Sequence, residues 1–77
     1  MITKESLGRA IAEFREKAGL SQLELADQSG MSIHTIRSWE QGRAEPGTLG
    51  LLRLAWHLNL DTNKLYERAA ELMELPR

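Results

Sequence analysis

Apolar residues along this chain recur at three- and four-residue spacings, and no strand-length run alternates apolar with polar. Leu7, Ile11 and Phe14 stand at i, i+4 and i+7, and Ala10 and Ala18 extend the stripe. The spacing predicts a helix over 4–18, capped by Thr3 and stopped by Gly19. Gly8 inside it costs roughly 1 kcal/mol relative to alanine and is expected to mark a close helix crossing. A second helix is predicted over 21–29, where Ser21 and Glu24 form an S-x-x-E capping box and Leu23, Leu25 and Ala26 are the apolar positions. Gly30 falls where a helix end needs a left-handed residue. Ser32 caps a third helix over 32–41, and Gly42 ends it. The breaker-rich turn RAEPG, 43–47, leads to a fourth helix over 48–58, with Leu51, Leu52, Ala55 and Leu58 as its buried stripe. Asn59 and Leu60 connect it to Asp61, which caps a fifth helix over 62–73; Pro76 lies beyond its end. Five short helices with short connections give an all-α fold in one domain, 1–77.

The third helix divides most informatively. At 100° per residue, Ile36 and Trp39 fall on one side with Thr35 at the margin, while Ile33, His34, Arg37, Ser38 and Gln41 spread over the other. The outer face therefore holds hydrogen-bonding and cationic groups at i, i+1, i+4, i+5 and i+8, on a helix of the width that enters a major groove. Trp39 points inward and is expected to be core, not a base-stacking group. A polar face of this kind also suits plain solvent exposure, so the wheel alone leaves both readings open.

Composition narrows the class. With 77 residues the chain stands near the lower size for a core that holds without a metal or disulfide. It contains no cysteine, which removes disulfides and thiolate metal sites and fits a reducing cytoplasm. No apolar run approaches a membrane span, and MITKESLGRA has no signal-peptide core. The net charge of −1 is not the basic balance of a general nucleic-acid binder. Residues 31–44 carry Arg37 and Arg43 against Glu40, a local +1. Any DNA affinity must then rest on local donors and helix N-termini, helped by two copies acting together.

The motifs in order resemble the lambda-repressor-like helix-turn-helix domain, also called the Cro/cI or XRE family. The resemblance runs ungapped from about Leu7 to Leu65. It rests on Arg15, GLSQ at 19–22, Leu25-Ala26, Gly30, Ser32, Ile36, Glu40-Gln41-Gly42, Pro46, and the leucine-rich run from Leu51 to Leu60. It implies a five-helix fold that binds double-stranded operator DNA, commonly as a dimer. By that resemblance, Gln22 and Ser32 at two helix starts and Gln41 and Arg43 after the third helix contact phosphates. Ile33, His34, Arg37 and Ser38 occupy the base-facing positions, and Arg15 and Glu40 form a structural ion pair. Physical chemistry agrees with these roles. Helix N-termini offer donors to phosphates, Arg37 suits guanine O6 and N7, and Ile33 suits a thymine methyl. Two departures stand out. The Ile33-His34 pair replaces the more usual polar residues, so no operator sequence carries over, and Glu45 beside the phosphate-contacting loop opposes binding.

Other residues favour plain roles. Ser21 and Ser32 are caps rather than nucleophiles, no serine comes with a recognisable base and orienter, and the carboxylates sit beside basic residues, as Glu13 does with Lys17 at i, i+4. Neither His34 nor His57 belongs to a metal-ligand pattern, so neither enzyme activity, metal nor cofactor is expected. His57 is expected at the surface or the core margin. Leu49 and Trp56 fall at i and i+7 outside the apolar stripe of the fourth helix. The fifth helix has two stripes, Leu65-Ala69-Leu72 and Tyr66-Ala70-Met73, of which one faces the core. Leu49, Trp56, Tyr66, Ala70 and Met73 are thus expected to form a partner surface. The leading expectation is a homodimeric DNA-binding transcription regulator, and the alternative is the antitoxin half of a toxin–antitoxin pair.

Overall fold

The first helix lies along the last and across the third in the computed structural model, which describes residues 2–74. The elements are α1 (Lys4–Lys17), α2 (Gln22–Ser29), α3 (Ile33–Glu40), α4 (Thr48–His57) and α5 (Thr62–Glu74). These are the five helices of the all-α fold, with no strand among the described residues. Pro76 lies outside the described residues.

Local chemistry sets the helix ends. The Thr3 hydroxyl accepts from the Ser6 N–H at 3.1 Å, and Ser21 and Glu24 close a reciprocal capping box. At the other end of α2, Gly30 adopts φ 67°, and the Met31 N–H donates to the Ala26 carbonyl at 2.9 Å. Asn59 makes the same left-handed turn after α4, at φ 58°, so that the Leu60 N–H reaches the Ala55 carbonyl at 2.9 Å.

One core joins all five helices. Leu7, Ala10 and Ile11 of α1 meet Leu25 and Ala26 of α2, Ile36 and Trp39 of α3, Leu51, Leu54 and Ala55 of α4 with Leu58 at its end, and Leu65, Ala69 and Leu72 of α5. Gly8 is where α1 crosses α3: a Cβ there would run into the carbonyl of Trp39. Gly50 does the same for α4, since a Cβ would strike the Trp39 ring. Trp39 is thus clamped between two glycine-lined helix faces, a packing that fixes the tilt of α3.

The core differs from the stripe read along the chain at three places. Leu54 is fully buried, whereas Leu52 is 51% exposed. Residues 51, 54, 55 and 58 keep the i, i+3, i+4, i+7 spacing, and Leu52 points about 100° away from Leu51. Leu23 is exposed because α2 turns Leu25, Ala26 and Ser29 inward. Ala18 is also exposed; the stripe of α1 stops at Phe14, which packs on the core edge. On α5 the buried stripe is Leu65-Ala69-Leu72, which leaves Tyr66, Ala70 and Met73 exposed.

Candidate nucleic-acid interface

Ser32 opens α3, its hydroxyl accepting from the His34 N–H at 3.1 Å. Behind the helix, Ile36 and Trp39 are buried. In front, His34, Arg37 and Gln41 are exposed and Ser38 is half-buried. On the wheel His34 and Gln41 lie at the centre of the outer face, with Arg37 and Ser38 on either flank. Ile33 does not share this face fully: it is half-buried and packs against the core. It sits about 90° from the inward direction, next to the turn that carries Met31, so part of its side chain goes to holding α3 against the body of the protein.

The end of α3 is tied down by charge. Arg15 on α1 donates from Nε to Glu40 Oε2 at 2.7 Å and from Nη2 to Oε1 at 3.1 Å, while its Nη1 reaches the Leu20 carbonyl at 2.8 Å. Only 14% of the Arg15 side chain and 6% of the Glu40 side chain are exposed. The Glu40 hydrogen bonds raise the Arg15 pKa above its ordinary value, against the opposing effect of burial. Gln22 joins from the start of α2, its Nε2 donating to Glu40 Oε1 at 2.9 Å. An amide nitrogen has two N–H groups, so one remains for a second acceptor. Three helices thus meet on one carboxylate, whose charge is balanced by the Arg15 guanidinium. Arg15 and Glu40 stand together as an ion pair, and Gln22 belongs to the same cluster.

Beyond α3 the chain turns sharply. Gly42 takes φ 72° and lies against Glu5, where a Cβ would come 3.0 Å from the Glu5 backbone. The Arg43 N–H closes the turn on the Ser38 carbonyl at 3.0 Å. This turn leaves Arg43 and Gln41 exposed, together with Glu45. An open groove of about 390 Å³ between α1 and this end of α3 is lined by Glu5, Arg9, Glu40 and Gln41. Arg9 is exposed and adds a cation beside Gln41 that no motif in the sequence marks. It belongs to the polar side of α1, and only the crossing of α1 over α3 brings it to this face.

Glu13 also departs from its sequence reading. It pairs with Arg68 of α5 at 2.7 Å instead of lying on a solvated face beside Lys17, whose ammonium sits 5.4 Å from the centre of the Phe14 ring. The Arg68 hydrogen bond lowers the Glu13 pKa below the ordinary glutamate value. His57 is exposed on α4. Among the described residues, no group of three or more histidines, cysteines or carboxylates is arranged to hold a metal ion, and no helix is long and apolar enough to cross a membrane.

Comparison with known proteins places this arrangement. A helix-turn-helix family model matches residues 11–65. The chain is 35% identical over 74 residues to the ImmF control region 10 kDa protein of Bacillus phage phi105, covering 96% of this chain and 82% of that protein. It is 33% identical over 60 residues to the HTH-type transcriptional regulator ImmR of Bacillus subtilis (strain 168), covering 78% of this chain and 47% of that protein. The fold is similar to a crystal structure of the clp gene regulator ClgR from Corynebacterium glutamicum, with a TM-score of 0.88 at 30% identity and 95% of each chain covered. It is also similar to the restriction-modification controller protein C.AhdI from Aeromonas hydrophila, with a TM-score of 0.78 at 29% identity, covering 80% of this chain and 94% of that one. A match running from the middle of α1 through α2, α3 and α4 into the start of α5, on a chain whose Gly30 turn joins two capped eight-residue helices, leads to one conclusion: the chain belongs to the lambda-repressor-like, or XRE, family of helix-turn-helix proteins.

Proposed function

We propose that this protein is a DNA-binding transcription regulator of the cytoplasm that reads an operator with α3 lying in the major groove. The reading rests on one observation above the others: His34, Arg37 and Gln41 stand exposed on a helix held from behind by buried Ile36 and Trp39. In that pose Arg37 grips a guanine edge through O6 and N7, His34 and Ser38 offer single hydrogen bonds to neighbouring bases, and Ile33 presents only the rim of its side chain to a thymine methyl. Phosphates are held by Ser32 and the N–H groups of the α3 start, by the remaining N–H of Gln22, and by Gln41 and Arg43 after the helix. Arg9 supplies a further cation on the same side.

With an overall charge of −1, a single copy has little general attraction for a polyanion. The protein therefore works as a homodimer whose third helices enter successive major grooves about 34 Å apart. The relatives support the regulatory role, since those named are a transcriptional regulator, a gene regulator and a controller protein. Selection of binding sites from random double-stranded DNA tests the whole reading. A two-fold symmetric consensus with half-sites one turn apart is expected, and recovery of unselected sequence overturns it.

A further inference from the structure

The groove between α1 and the end of α3 holds a carboxylate that the proposed DNA contacts do not use. Glu5 lies in the first turn of α1, and its stem packs under the turn after α3: a Cβ on the buried Gly42 would come 3.0 Å from both the Cα and the Cγ of Glu5. Its carboxylate therefore has little room to withdraw from the groove, which it lines with Arg9, Glu40 and Gln41. Glu40 is already matched by Arg15 and Gln22, and Gln41 is neutral. The charges left over at the mouth are Glu5 and Arg9. They stand one turn apart on the exposed side of α1, in the i, i+4 order in which glutamate and arginine attract. Among the described residues Arg9 makes no ion-pair contact, so its guanidinium can turn either to Glu5 or to an arriving anion. Glu45, an exposed carboxylate in the segment after this turn, shares a separate small cleft with Lys4.

We propose that Glu5 sets the strength of DNA binding by competing with a backbone phosphate for Arg9. A phosphodiester entering the groove takes donors from Arg9 and from the Gln41 amide, but it meets the Glu5 carboxylate in the same place. Two effects then oppose binding. Arg9 gives up its attraction to Glu5, and Glu5 repels the phosphate directly. Phosphates are the same in every sequence, so Glu5 lowers affinity without altering which bases α3 prefers. The sequence-independent part of binding stays small, and a protomer away from its operator leaves the duplex readily. The proposal rests on the DNA-binding reading above and adds the residue that limits its strength. A purely structural role for Glu5 has a different consequence: a carboxylate in a first turn steadies the helix, and its removal would not tighten DNA binding.

The test measures binding of the whole chain to the duplex recovered by site selection and to a scrambled duplex of equal length, over a range of salt. Glu5 and Arg9 are exposed, and circular dichroism checks that the helices are retained. Glu5→Gln is expected to tighten binding to both duplexes by about three- to tenfold at low salt, with the gain fading as salt screens it. Arg9→Ala is expected to weaken both and to reduce the salt slope by about one per bound protomer. Arg9→Lys, which keeps the charge, should keep the slope. In the Arg9→Ala background, Glu5→Gln is expected to gain no more than about half its factor, because the group it competes for is gone. Glu67→Gln serves as the charge control. It removes the same charge from a groove by Phe14 and Lys17, on the opposite side of α1 from Glu5, and should stay within about twofold of wild type. Equal tightening by Glu67→Gln overturns the proposal, since net charge would then explain both changes. Unchanged binding in Glu5→Gln, an unchanged salt slope in Arg9→Ala, or full additivity of the two also overturns it while leaving the DNA reading intact. A wild type that binds neither duplex overturns the DNA reading itself, and this proposal with it.

Discussion

Single atoms decide how far two residues of this chain tolerate change. Gly8 lies within a helix, where alanine ordinarily gains up to about 1 kcal/mol. Here the added methyl group would enter the Trp39 carbonyl, a backbone atom that cannot swing aside. Gly8→Ala is therefore expected to destabilise the protein by about 2–3 kcal/mol, read by urea unfolding; a gain in stability would show that α1 and α3 separate easily. Arg37 presents the opposite case. It is exposed and absent from the core, so Arg37→Ala should leave the unfolding midpoint within about 0.5 kcal/mol of wild type. Its effect belongs to recognition: a loss of about 1–3 kcal/mol of discrimination at one base pair, with preference elsewhere unchanged. A uniform loss over all sequences would instead assign Arg37 to a phosphate.

At the level of helices, the two long-range ion pairs differ in kind. Arg15–Glu40 ties α1 to the end of α3 and is largely buried, whereas Glu13 and Arg68, which join α1 to α5, keep about a third of each side chain exposed. Removing one partner of a buried pair strands the other charge, while an exposed pair is screened by water. Glu40→Ala is expected to cost about 3 kcal/mol, and Glu13→Ala less than about 1 kcal/mol, in the same denaturant titration. Equal costs would remove the distinction. Glu40→Ala also frees the Gln22 amide from its anchor, so DNA affinity should fall alike for every operator variant. The Arg15–Glu40 pair was legible from the family resemblance, but Gln22 as its third member was not. Nor was Glu13–Arg68, because 55 residues separate the partners and Lys17 stands nearer along the chain.

For the whole molecule, acid stability follows from carboxylates that are better off charged when folded. Glu13 is held below the ordinary value of 4.5 mainly by its hydrogen bond from Arg68, and Glu24 mainly by the Ser21 N–H in the capping box. A group whose pKa is lowered on folding contributes stability above its unfolded value and loses it as the pH falls through the folded value. Stability should accordingly hold from neutral pH down to about 4.5 and decline below it, measured by thermal unfolding. In Glu13→Gln that decline should be shallower. An unchanged slope would mean that the Arg68 pair contributes nothing in solution.

Helix number, helix ends and the outward face of α3 were readable along the chain because they depend on local chemistry: 3.6-residue spacing, Ser21 and Ser32 as caps, Gly30 and Gly42 as stops. Tertiary packing chose among residues that local spacing leaves equivalent. On α4, where Leu49, Leu51, Leu52, Leu54 and Trp56 are all apolar, periodicity allows more than one stripe, and the Trp39 ring against Gly50 selects the face that buries Leu54 and exposes Leu52. On α5, the close approach of α1 takes Leu65, Ala69 and Leu72 inward and leaves Tyr66 and Met73 outside. The same packing brings Arg9 beside Gln41 and Gln22 onto Glu40, since a side chain's partners across helices depend on where the helices cross, a distance that no interval along the chain records.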